Sequence, residues 1–105
     1  MQQHVVCFVT ISPAEAKKMA QALVEGKLAA CVNIIPAVQS IYSWQGKICD
    51  DKESLLVIKT HAERFEALRD KIVELHSYDV AEVIAMPIVG GNPPYLRWVT
   101  ENTME

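Results

Sequence analysis

Within seven positions the chain carries an imidazole, a phenol and a carboxylate: His76, Tyr78 and Glu82. Together such groups can transfer protons near neutral pH, hold a cation or line a polar pocket between subunits. Their plain structural use is equally open: His76 near a helix C-terminus, where the dipole favours a cation, and Glu82 bonding loop amides. Lys59 and Glu53 lie in or beside one apolar run and read either as a base with its partner or as an interfacial ion pair. Tyr42 and Trp44 can stack a ligand ring, although aromatic anchors at a subunit contact are the more ordinary use. Catalytic signatures are scarce: the sequence contains no G-x-S-x-G, no P-loop and no Cys with an obviously paired His. A non-enzyme is therefore expected, and a small proton-transfer enzyme built on the His-Tyr-Glu cluster ranks third. A single imidazole without a second soft ligand does not make a tight transition-metal site.

These side chains need a scaffold, and composition limits which kind. At 105 residues, half of them apolar and 22% charged, the chain suits one packed domain over residues 1–105. A net charge of −3 with no basic run argues against nucleic acid as a partner. No apolar stretch approaches a membrane span and no leader pattern opens the chain, so a cytoplasmic protein without a membrane partner is expected. Cys7, Cys31 and Cys49 form an odd set without C-x-x-C spacing, which points to reduced thiols rather than a disulfide framework or structural zinc.

The β-branched run from Val5 to Thr10 predicts a strand, and Ser12-Pro13-Ala14-Glu15 predicts a capped helix start. Ala16, Met19, Ala20 and Leu23 continue that helix, with Gly26 as its left-handed end. Residues 28–43 form a long apolar strand whose Pro36 places it at a sheet edge. A turn at Gln45-Gly46-Lys47 sends the chain back through a strand over 54–59. Thr60-His61-Ala62-Glu63 resembles a second capping box, followed by the helical stripe Phe65, Leu68, Ile72 and Leu75. Val83 to Val89 makes the fourth strand, and Asn92-Pro93 opens a last helix bearing Tyr95, Trp98 and Val99 on one face.

This order is α+β: a ferredoxin-like βαββαβ sandwich with a long hairpin between its second and third strands and an added C-terminal helix. An arm of ~15 residues extends ~50 Å, against a radius of gyration of ~13 Å for a domain of this size. The hairpin should overshoot its own domain. Its outer arm carries Ile34, Ile35, Val38, Ile41, Tyr42 and Trp44, an apolar edge that calls for cover by another subunit. An obligate oligomer is expected.

Four ordered segments carry a family resemblance. Leu28-Ala29-Ala30-Cys31-Val32-Asn33, Ser40-Ile41-Tyr42-Ser43-Trp44-Gln45-Gly46-Lys47, Glu53 with Leu55 to Thr60, and Tyr95-Leu96-Arg97-Trp98 resemble motifs of the CutA divalent-cation tolerance family. The family's H-P-Y-x-x-P-E loop stands here as His76-Ser77-Tyr78-Asp79-Val80-Ala81-Glu82, with Ser77 and Ala81 in place of both prolines. The resemblance implies a homotrimer, with Tyr42, Trp44 and Trp98 at its interface and Lys59, Tyr78 and Glu82 in an intersubunit pocket. It implies no required cofactor, and copper or another divalent cation as a ligand. In some members a cysteine late in strand one joins loop histidines on copper. Of that set only His76 carries over, since Val9 and Leu75 occupy the other places and Cys7 lies two residues too early. The runner-up reading is a trimeric small-molecule sensor using the intersubunit cleft for a nucleotide or anion.

Overall fold

The computed structural model describes residues 3–105; Met1 and Gln2 of the expected domain lie outside the described residues. Four strands, β1 (His4–Ile11), β2 (Cys31–Trp44), β3 (Lys47–His61) and β4 (Val83–Pro87), form one antiparallel sheet in the order β2-β3-β1-β4. The connecting helices are α1 (Pro13–Glu25), a single 3-10 turn (Ala62–Arg64) leading into α2 (Phe65–Leu75), and α3 (Pro93–Met104). This is the expected ferredoxin-like α+β arrangement, with β2 at an edge as Pro36 implied. No helix among the described residues is long and apolar enough to cross a membrane.

Side chains alternate between the two sheet faces. One face sends Cys7, Val9, Ile11, Leu56 and Ile58 against Ala16, Met19 and Leu23 of α1 and Leu68 and Ile72 of α2. Fully burying each branched side chain of this layer stabilises the fold by about 1.5–3 kcal/mol. Leu75, the last residue of the α2 stripe, lies outside the core and is exposed. The opposite face carries Val6, Phe8, Leu55 and Val57, partly exposed, and Ile35, Ile84 and Met86, exposed. Only α3 lies on this side, at the end where His4 Nε2 meets Thr100 Oγ1 at 2.9 Å.

Three local expectations need correction. Ser12 makes no side-chain cap; Pro13 opens α1, and the Ser12 carbonyl accepts from Glu15 N–H. Gly26 has φ −81°, and the left-handed residue after α1 is Lys27 at φ 58°. The bonds of Lys27 N–H to Val24 O and Leu28 N–H to Leu23 O close the helix end and hold Lys27 in that conformation. Thr60 belongs to β3, where its hydroxyl donates to Leu28 O; His61 caps instead, its Nδ1 accepting from Glu63 N–H.

A bulge determines which way the hairpin tip faces. The β2-β3 register runs Ile35 opposite Leu55, then Val38 opposite Glu53, so β2 holds one residue more than β3 across this step. One extra residue moves every later side chain to the other sheet face. Tyr42 and Trp44 thereby join Asp51 and Glu53 on the face that α1 and α2 leave open. Ser54, buried beneath the bulge, donates to Pro36 O at 3.0 Å. At the tip, Gln45 (φ 52°) and Gly46 (φ 80°) make the two-residue turn whose twist suits a hairpin.

Candidate functional site

The loop after α2 is tied to the sheet by its own candidate residues. His76 is buried, donates from Nε2–H to Thr10 O at 2.9 Å, and accepts at Nδ1 from Tyr78 N–H at 3.2 Å. Its ring packs edge-on against Tyr78, with centroids 4.5 Å apart. Glu82 Oε1 accepts from Thr10 Oγ1 at 3.3 Å, and Ser77 Oγ donates to Glu15 Oε1 at 3.0 Å. The two missing prolines therefore leave a loop anchored at three points on α1 and β1.

Tyr78 then reaches across to the hairpin, where its hydroxyl donates to Glu53 Oε2 at 2.8 Å. Partial burial, followed by this bond to Glu53, raises the Tyr78 phenol from its ordinary value to about 12. A second phenol repeats the motif: Tyr42 donates to Asp51, and that hydrogen bond is the main cause holding its proton well above the usual range. Both phenols are thus fixed as neutral donors.

Between the loop and the hairpin lies a cleft of about 830 Å³. Tyr42 and Trp44 line one wall, Tyr78 and Glu82 the other, with Asp51 and Glu53 between them. Of the expected pocket residues, Tyr78 and Glu82 are here. Lys59 is not: it lies six residues further along β3, opposite Cys31, and its ammonium donates to Asn33 Oδ1. Tyr42 and Trp44, expected at an interface, face this cleft, whereas Trp98 sits on α3, beside Tyr95.

The donor set of the chain does not fit a copper centre. Both nitrogens of His76 are occupied by backbone partners, so a metal at Nδ1 would have to displace the Tyr78 amide. Cys7 cannot replace the family cysteine, because its side chain is fully buried in the helix-covered core and burial raises its thiol to about 11, away from the thiolate a metal requires. Among the described residues no three His, Cys, Asp or Glu side chains are grouped to hold a metal ion. The Glu53-Tyr78 pair was not visible to sequence reasoning: the partners stand 25 residues apart, and only the sheet order and the bulge bring them together.

Comparison with known proteins agrees with this architecture. Residues 4–102 match the family model described as CutA1 divalent ion tolerance protein. The chain is 46% identical over 101 residues to the divalent-cation tolerance protein CutA of Thermus thermophilus, covering 96% of this chain and 98% of that protein. It is 48% identical over 100 residues to the chloroplastic protein CutA of Arabidopsis thaliana, covering 94% of this chain and 55% of that one. The chain thus spans about half the length of that relative and nearly all of the bacterial one. The crystal structure of CutA1 from Oryza sativa superposes with a TM-score of 0.93 at 44% identity, covering 97% of this chain and 94% of that one. By its matched residues and by its fold, this chain belongs to the CutA1 divalent ion tolerance protein family.

Proposed function

We propose that the protein is a non-catalytic homotrimer of the cation-tolerance type whose working site is the cleft between hairpin and loop. The observation that carries this reading is the Tyr78-Glu53 bond, which joins the loop to the hairpin at a cleft lined by carboxylates and aromatic rings. Four carboxylates, Asp51, Glu53, Asp79 and Glu82, line it with no Lys, Arg or His. Such a surface attracts cations and repels the nucleotides or anions that a sensor of phosphorylated metabolites would take. Phenols held protonated well above neutral pH are poor proton shuttles, which weighs against the proton-transfer enzyme. Assembly into a trimer would cover the open sheet face and the apolar hairpin. Three free thiols suit a reducing, cytoplasmic setting.

Copper, on this reading, is a weak ligand drawn to the acidic cleft rather than held by His76. Equilibrium dialysis of copper(II) against the wild type, His76→Ala and Glu82→Gln separates the alternatives. We expect His76→Ala to lower the unfolding temperature while leaving copper uptake unchanged, and Glu82→Gln to reduce uptake. Tight stoichiometric copper that disappears in His76→Ala would replace the cleft with a histidine centre.

A further inference from the structure

Glu53 is 5% exposed and lines the cleft, yet among the described residues it makes no ion pair. Its one hydrogen bond comes from the neutral phenol of Tyr78, on Oε2. A buried carboxylate without a cationic partner is costly, and the cost falls when a positive group is brought to it. The free side of Glu53 opens onto a space of about 830 Å³, far larger than a bare metal ion requires and within the range of small organic ligands.

The walls of that space narrow the class of cation. The indole of Trp44 and the rings of Tyr42 and Tyr78 line it, with Ile41 and Val80 as apolar surface. Aromatic faces attract an ammonium group through their quadrupole, and more strongly where water is excluded. The carboxylates are spread around the cleft, and Asp51 and Glu53 are each engaged by a phenol, so they are spaced for separate contacts rather than gathered around one ion. We propose that the cleft binds an organic cation: an alkylammonium group paired with Glu53, its short apolar body lying against Trp44. The inference rests on the cleft reading above and names the chemical class that the cleft selects.

Ligand-observed saturation-transfer NMR on the full chain, with n-butylammonium, 1-butanol and butyrate as probes, tests it. These three share an alkyl body and differ in charge. We expect butylammonium to bind at least tenfold more tightly than butanol, with no signal from butyrate. Glu53→Gln should weaken butylammonium about tenfold, and Trp44→Leu, which leaves the buried carboxylate intact, should weaken it severalfold. Raising the salt concentration should weaken butylammonium and leave butanol unaffected. Equal binding of butylammonium and butanol overturns the proposal, as does butylammonium binding that survives both substitutions. If butylammonium fails while copper uptake still depends on Glu82, the ammonium class falls and the cleft stands. If both fail, the cleft reading falls with it.

Discussion

Cys7 shows how burial turns a reactive group into a structural one. Its side chain is fully buried between β1 and the helices, and desolvation lifts the thiol from 9.0 to about 11. The sign of the resulting pH dependence follows from proton binding. Below pH 9 both folded and unfolded chains keep the proton, and stability is whole. Between about 9 and 11 the unfolded chain releases it while the folded chain does not, so stability declines, by up to roughly 3 kcal/mol across the window. Urea titrations at pH 8.5 and 10.5, at fixed protein concentration, should show this loss in the wild type and a smaller one in Cys7→Ala. An equal slope in the two proteins would mean that the thiol titrates normally. Tyr78 adds a smaller decline at higher pH, because its ring is partly in solvent. His76 makes the complementary point. The residue type suggested a ligand, but two backbone partners consume both ring nitrogens, and nothing in residue type or spacing announces where those partners will be.

Among the elements, the hairpin was legible in outline and hidden in detail. A long β-branched run interrupted by Pro36, with a turn at Gln45-Gly46, is enough to read two paired strands and an edge position. The bulge is another matter. Proline marks a place where the ladder breaks, yet only the pairing partner reveals that β2 gains a residue there, and hence that Tyr42 and Trp44 face the cleft. Helix ends were misread for a similar reason. A capping box is a statement about local chain geometry, and Thr60 was drawn into β3 because a strand bond and the Leu28 carbonyl outcompeted the cap. The Ser54 hydroxyl beneath Pro36 gives the bulge a specific support. Ser54→Ala should lower the unfolding free energy by about 1 kcal/mol, the usual net value of one such bond, as read from the denaturant midpoint. No change in midpoint would show that the ladder alone holds the bulge.

The whole molecule is elongated, 44 × 25 × 22 Å with a radius of gyration of 14.2 Å, as a hairpin that overshoots its domain requires. Half of its sheet is sealed by α1 and α2; on the other half Ile35, Ile84 and Met86 stay in solvent together with the hairpin's Ile41 and Ile48. An apolar sheet face of that kind, with strand edges at β2 and β4, is a surface for further copies of the chain. The cleft lies on the same face, so assembly and ligand access are coupled: what covers the apolar surface also shapes the opening beside Glu53. Stability should accordingly rise with protein concentration, because unfolding then dissolves the subunit contacts as well. The decisive quantity is the solution mass by light scattering, measured for the wild type with a chelator, with copper(II) and with neither. A mass near three times 11.7 kDa, about 35 kDa, under all three conditions is the expected result. A monomer, or a trimer that forms only with copper, would contradict it.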